Sequence, residues 1–337
     1  MRPMAMMMAV SIGLWGMMSV GAAELKTVVV SAPGPHNLSY LPIDLISQIG
    51  ADQAQGYRLK ILHTGGGAVA LQNLVTRNAD FAVAGVPAAM SLRANGGDVV
   101  LIAPVNDKPL FVLMVRMALA GQVKQIADLR GRVIGVNTST KKSKTTSQQL
   151  VELLLKAGGI GIDQVRMVPA GQTWIEQSSL LLTNTADAVM GDEPFASRLR
   201  ARQQVFFLAN LAEPATVAGI AGMGFLHAAL ETRSEVIRQD PAMAQAMVAM
   251  LRQTLVWMAQ NSPETVVAKL QIADVEERTA LVEALTRYPN AFSRDGQFSA
   301  AQLQETDLFY VSGQTQPDLT PVAVTTMTDS RWAGSKP

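Results

Sequence analysis

Four short stretches of the sequence collect polar side chains, glycines and prolines in the way a chain turning toward a ligand would. The first is Gly34-Pro35-His36-Asn37, where His36 and Asn37 can exchange hydrogen bonds with a polar head group. Asn37 can equally cap a helix that follows. The second is Gly65-Gly66-Gly67. Without side chains, backbone N–H groups at a helix start can approach an anion closely, although a triglycine also serves as a plain flexible turn. The third runs from Thr138 to Ser147 and contains Thr138, Ser139, Lys144 and Thr145. Its hydroxyls, ammonium groups and helix-start amides suit a sulfonate, carboxylate or phosphate-like group. A solvated lysine patch accounts for at least two of its three lysines.

The fourth stretch, Gly191-Asp192-Glu193-Pro194, is acidic. A carboxylate in an anion-binding cleft repels the ligand unless it pairs with a lysine or receives an amine. Either the ligand carries both charges, or Glu193 bonds backbone amides and never meets it; the second reading is preferred. Trp174 can stack on an aromatic ligand, but a helix tryptophan facing a sheet is more often core.

The catalytic inventory is thin. The histidines are His36, His63 and His227, without metal-ligand spacing, and there is no cysteine for thiol, iron–sulfur or zinc chemistry. No GxSxG elbow, GxxxxGK[ST] loop or early GxGxxG fingerprint is present. No metal or cofactor is implied. The competing enzymatic reading is an exported hydrolase or isomerase using His36 with Asp192 or Glu193.

The first 23 residues read as a secretory signal peptide: Arg2, an apolar run from Met4 to Val20, then Gly21-Ala22-Ala23. Cleavage is expected after Ala23, with export to the bacterial periplasm. Of 28 basic and 27 acidic residues, only Arg2 falls in that segment, so the mature chain is close to neutral. That balance argues against nucleic acid as a partner.

The elements that would position the four stretches alternate in type. Strands are expected at Leu25 to Ser31, Tyr57 to His63, Phe81 to Ala84, Val99 to Ala103 and Phe111 to Val115. Helices are expected from Leu38 to Ile49, Ala68 to Arg77 and Pro87 to Ala94. A second set begins at Arg132 to Val136 and continues through a helix at Thr146 to Ala157. It goes on with a strand at Val165 to Val168, a helix at Trp174 to Leu182, a strand at Ala186 to Met190 and a helix at Phe195 to Arg202. From Glu231 to Gln314 the pattern is helical only, and the polar tail from Thr315 is expected on the surface. The fold class is α/β, two doubly wound lobes with a cleft between them and a helical C-terminal extension. The expected division is residues 24–116 with 222–337 in one lobe and 117–221 in the other, with crossings near Arg116 and between Gly219 and Ala229.

An internal echo supports two related halves. Residues 79–94 (ADFAVAGVPAAMSLRA) and 186–201 (ADAVMGDEPFASRLRA) are identical at seven of 16 positions. Each reads as strand, proline turn and helix, with the proline in the first helical turn where its missing N–H has no partner to lose. Ligands of such sheets sit beyond the carboxyl ends of the strands, so Gly85-Val86-Pro87 and Asp192-Glu193 are expected to line a shared cleft.

With these motifs in order, the chain resembles the periplasmic substrate-binding proteins of ABC importers for nitrate, sulfonates, taurine and thiamine-precursor pyrimidines. The resemblance is carried by Leu41-Pro42, Gly65-Gly66-Gly67, Asn78 to Ala82, Ile126 to Val136, Ala186-Asp187-Ala188 and Glu193-Pro194-Phe195, over roughly residues 25–230. The 138–147 run is longer and more basic than the loop this family usually has there. The resemblance implies a type II periplasmic binding fold that closes on a small, anionic solute, acts as a monomer and docks on a membrane permease. With the turn chemistry above, the expected ligand contacts are Pro35, His36, Asn37, Gly66, Gly67, Val86, Pro87, Thr138, Ser139, Lys144, Thr145, Trp174, Asp192 and Glu193.

Overall fold

The computed structural model describes residues 25–313 and 322–336, and the expected signal segment with its cleavage point lies outside them. The chain begins with β1 (Lys26–Pro33), whose β-branched run Val28-Val29-Val30 is what a strand covered on both faces requires. It then forms α1 (Leu41–Leu45), α2 (Ala51–Ala54), β2 (Tyr57–Thr64), α3 (Gly67–Val75), β3 (Phe81–Gly85), α4 (Val86–Ala94) and β4 (Val100–Asn106). The next elements are β5 (Phe111–Arg116), β6 (Val133–Val136), α5 (Thr146–Ala157), β7 (Arg166–Pro169), α6 (Trp174–Leu182), β8 (Ala188–Asp192), α7 (Phe195–Ala201), β9 (Val205–Asn210) and α8 (Pro214–Val217). The remainder comprises β10 (Ala228–Thr232), α9 (Ser234–Gln239), α10 (Pro241–Gln260), α11 (Pro263–Lys269), α12 (Val275–Arg287), β11 (Phe298–Ser299), α13 (Ala300–Ser312) and β12 (Ser335–Lys336).

Two five-stranded sheets organise the molecule. The first has strand order β2-β1-β3-β10-β4 and the second β7-β6-β8-β5-β9. In each, a parallel βαβ core is joined by an antiparallel strand that comes from the other side of a crossover: β10 beside β3, and β5 beside β8. Each sheet has its own apolar core. Val28, Val30, Phe81 and Leu230 anchor the first lobe, and Leu113, Ile134, Leu150 and Met190 the second.

The echo in the sequence is a repeat in space. Asp80 accepts the N–H of Val29 (2.9 Å) and returns its own N–H to the Val29 carbonyl. Asp187 does the same with Val133 (3.0 Å). In both halves this one carboxylate locks the second strand of the pair to the first, so the turn that follows leaves from an equivalent place.

The structure departs from expectation at several elements. Residues 38–49 do not form one helix: a 3-10 turn at Leu38–Tyr40, capped by the Asn37 side chain, precedes the five-residue α1. The apolar spacing still serves its purpose, since Leu38, Leu41, Leu45 and Ile46 are fully buried. Strand β5 belongs to the second sheet, so the chain first passes between the lobes at residues 107–110 and not near Arg116. The segment after Glu231 is not purely helical: β10 runs through that residue, and β11 pairs with β12. Strand β9 carries no counterpart in the sequence reading. Of the C-terminal tail, residues 322–336 pack Val324, Met327 and Ala333 into the first core instead of lying on the surface.

Candidate functional site

The strand ends of the two lobes meet along one buried seam. From the first lobe come the loops after β1, β2 and β3; from the second, those after β6, β7 and β8. The contact is close enough that glycine is structurally demanded on the first-lobe side. A Cβ at Gly34 would stand 2.6 Å from the Gln172 carbonyl oxygen, and one at Gly66 would stand 3.0 Å from the Thr138 carbonyl oxygen. At Gly85 it would meet Thr146 Oγ1 at 2.1 Å. Hydrogen bonds cross the same seam: Leu38 N–H to the Glu193 carbonyl (2.9 Å), Thr138 N–H to Gly65 (3.4 Å) and Gln149 Nε2 to Pro87 (2.9 Å). Ser143 Oγ donates to the Ala88 carbonyl (2.8 Å), and Lys144 N–H donates to Ser91 Oγ (3.0 Å).

One end of the seam is its floor, because the connecting segments run there. Glu193 N–H bonds the Leu110 carbonyl in the first connection, and Val86 N–H bonds the His227 carbonyl in the second. The stretch where Gly34, Gly65 and Gly66 face Thr138, Gly171 and Gln172 is called the rim.

Asp192 is the chemical centre of the floor. It is fully buried at the end of β8. Its Oδ1 accepts Gln172 Nε2 (2.8 Å), and its Oδ2 accepts Gln177 Nε2 (2.8 Å) and Asn137 Nδ2 (3.4 Å). Burial pushes its carboxyl up, and the amides of Asn37, Gln172, Gln177 and Asn137 pull it back. Asn37 Nδ2 exerts that pull without a fully formed hydrogen bond.

Around Asp192 stand buried polar atoms that have no hydrogen-bond partner among the described residues: Asn37 Nδ2, Asn137 Oδ1, Thr146 Oγ1, Gln172 Oε1 and both ring nitrogens of His227. Stranding such groups costs about 1–3 kcal/mol each, which is a cost a ligand can relieve. His227 packs edge-on against Phe111 (5.1 Å between centroids) and near Tyr40 (6.0 Å); its burial lowers its pKa to about 3, so the ring is neutral. Burial and the nearby carboxylates of Asp192 and Glu231 raise the Tyr40 phenol.

The residues singled out from sequence fall into three groups. Asn37, Gly66, Val86, Pro87, Thr138, Thr145 and Asp192 lie in the seam. Gly67 packs its Cα side against Ala84 and Gly85 behind the rim, and Ser139 is held by Gln148 (2.7 Å). The others are engaged elsewhere. Pro35 is exposed, and His36 Nδ1 pairs with Glu277 (2.7 Å) on α12, a contact that raises the ring's pKa against the lowering effect of burial. Lys144 Nζ pairs with Glu152 (2.8 Å), so its charge is matched within its own lobe. Trp174 lies under the Arg198 guanidinium (4.1 Å) and packs in the second lobe. The Glu193 carboxylate accepts the N–H and hydroxyl of Ser197 (3.1 and 2.9 Å). His36 thus reaches neither Asp192 nor Glu193, and the dyad of the enzymatic alternative is not assembled. Among the described residues no cluster of three or more His, Asp or Glu could hold a metal ion.

Sequence reasoning passed over Tyr40, Asn137, Gln172, Gln177 and the seam position of His227, while Thr146 fell within the hydroxyl-rich run from Thr138 to Ser147. Asn137 and Gln172 follow the carboxyl ends of β6 and β7, and a polar residue just past a parallel strand was the available signal.

Two α/β lobes closing a polar seam define the periplasmic binding protein class of fold. The chain belongs to the family described as NMT1/THI5 like, which it matches over residues 53–265. Among solved structures, a protein of Bordetella bronchiseptica RB50 superposes with a TM-score of 0.81 at 19% identity, covering 92% of this chain and 96% of its own. The alkanesulfonate-binding protein SsuA from Xanthomonas axonopodis pv. citri, bound to MOPS, gives 0.70 at 18% identity over 92% and 100%. The periplasmic nitrate-binding protein NrtA from Synechocystis PCC 6803 gives 0.60 at 12% identity over 77% and 70%. At these identities the likeness is one of fold. No curated protein matches the chain in sequence.

Proposed function

We propose that the protein is the periplasmic solute-binding component of an ABC importer. It captures a small molecule in the seam between its lobes and delivers it, as a monomer, to a membrane permease. The observation that carries this reading is the set of stranded polar atoms at the floor, contributed by both lobes at once. Asn37 and His227 come from the first lobe and its connection, and Asn137, Thr146 and Gln172 come from the second. A solute touching both sets is fully bound only when the lobes are together, so its binding energy shifts the open–closed equilibrium toward the closed form. The proposed pivots are the connections at 107–110 and 223–227, and the permease would recognise the closed shape. Family membership and the solute-binding proteins among the structural neighbours support the same reading.

The test begins with a thermal-shift screen over alkanesulfonates, taurine, nitrate, aromatic carboxylates, pyrimidines, amines and amidines, because a native-state ligand raises the melting temperature by mass action. Small-angle scattering then compares the free protein with protein saturated by the best binder. Compaction on binding is expected. A binder that saturates the protein and leaves its dimensions unchanged would remove the closing-cleft mechanism.

A further inference from the structure

The polar atoms of the floor have a sense, and it is not that of an anion site. Asp192 offers only acceptor oxygens when ionised, and the amides around it are turned accordingly. Gln172 and Asn137 give their NH2 groups to the carboxylate. An amide held in that way points its carbonyl in the other direction, and Gln172 Oε1 and Asn137 Oδ1 are the two carbonyl oxygens left buried and unpartnered. The third amide, Gln177, closes on itself: its Nε2 bonds Asp192 Oδ2 and its Oε1 accepts the Asp192 N–H (3.3 Å). Asn37 Nδ2, the stranded donor of the set, is turned toward Asp192 like the other amides, so the demand left unmet, at Gln172 Oε1 and Asn137 Oδ1, is for N–H or O–H donors.

The charge balance points the same way. Among the described residues no Lys, Arg or His stands within ion-pair distance of Asp192. Of the basic groups on the elements around the seam, Lys144 is paired with Glu152, Arg198 with Asp274 and Glu276, and His36 with Glu277, while Lys141 and Lys142 are exposed. A second buried carboxyl, Glu231, also lies near Tyr40. An anion entering this space would bring like charge into a low-dielectric site and face acceptor oxygens. A cation would neutralise Asp192 and satisfy them.

We propose that the solute is a small organic cation, carrying an ammonium, guanidinium or amidinium group that donates to Gln172 Oε1 and Asn137 Oδ1 and is neutralised by Asp192. This inference rests on the solute-binding reading above and names the ligand class of the same seam. Thr146 Oγ1 and the neutral His227 ring, each able to donate or accept, would hold the remainder of the molecule.

The experiment uses probes matched in shape and opposite in charge: benzamidine against benzoate, methylguanidine against nitrate, and putrescine against succinate. Binding is measured by calorimetry and thermal shift on the mature chain. At least one cation is expected to bind while its anionic counterpart does not, and Asp192→Asn is expected to weaken that cation at least tenfold. Should Asp192→Asn fail to fold, Thr146→Val removes one unpartnered hydroxyl with no change of charge, and a several-fold loss is expected there. Binding of an anion in preference to its cationic match, with compaction, would overturn the cation assignment and leave the solute-binding reading standing. Binding of no cation would overturn it as well, and if no compound of the wider screen bound either, both readings would fall together. Undiminished cation binding by a folded Asp192→Asn protein would equally defeat the proposal, since a neutral hydrogen-bonding site would then suffice.

Discussion

At the scale of single residues, β10 and its approach carry two buried ionisable groups that bias stability in opposite directions. His227 has its pKa depressed to about 3 by burial, so between the unfolded value of 6.5 and that point the unfolded chain binds the extra proton. Its contribution is present above pH 6.5 and is lost as pH falls. Glu231 is raised well above its ordinary 4.5 by burial, against an opposing pull from the Ala84 N–H. Here the folded state keeps the proton, so stability is fully present below pH 4.5 and is lost as pH rises toward the raised value. The loss amounts to about 1.4 kcal/mol per pH unit in that interval. Glu231→Gln should flatten the alkaline limb of a melting-temperature profile and leave the acid limb intact. An alkaline limb that stays as steep in the variant would mean that Glu231 is not the titrating group. These residues also show the limit of reading at this scale. The 34–37 loop, the triglycine and Asp192 were visible as turn chemistry at strand ends. His227, Asn137 and Gln172 were not, because nothing local marks a side chain as buried; that follows from which strands pair and which lobe covers them.

At the scale of elements, local rules served well where one segment decides its own form. Helix α5 starts at Thr146 because Thr145 caps it, and α6 starts at Trp174 because Thr173 and Glu176 form a capping box. They failed where pairing decides. Strand β10 contains Glu231 and has no apolar alternation, yet it is held between β3 and β4 along its whole length. Strand β5 has an ordinary apolar sequence, and only its partners place it in the second sheet. The close approach of the loops gives a test of closure that needs no knowledge of the ligand's chemistry. Gly34 lies where a Cβ would be 2.6 Å from a backbone oxygen and 2.8 Å from Thr173 Cγ2, and a backbone atom cannot rotate aside. Gly34→Ala should therefore wedge the rim open. The expected result is a larger radius of gyration in scattering and an affinity for any captured solute reduced at least tenfold, about 1.4 kcal/mol of closing energy. Gly121→Ala, at a glycine with open space around it, should change neither. Equal behaviour of the two variants would show that the rim contact plays no part in binding.

At the scale of the whole molecule, the question is what makes two separately cored lobes behave as one body. The connections at 107–110 and 223–227 are one answer, and contacts between helices are another. Arg198 on α7 is buried, lies over the Trp174 ring and bonds both Asp274 (2.6 Å) and Glu276 (3.0 Å) at the start of α12. Arg202 bonds Glu276 as well, and Asn210 Nδ2 donates to the Tyr288 hydroxyl (3.3 Å). On a second front α13 spans both cores: Leu303 and Tyr310 pack in the first, while Phe309 stacks on Phe225 (4.1 Å) in the second. The apolar bridge is indifferent to salt, whereas the arginine bridge ends on carboxylates that are nearly half exposed and so is screened. Cutting the arginine bridge should consequently weaken the coupling between lobes more than either lobe's own stability. For Arg198→Ala combined with Arg202→Ala, differential scanning calorimetry should show one transition broadening into two, since each apolar core is left whole. The unmodified protein in about 1 M salt should move part of the way toward the same profile. A single transition displaced to lower temperature without broadening would instead mean that α13 and the two connections alone hold the lobes together.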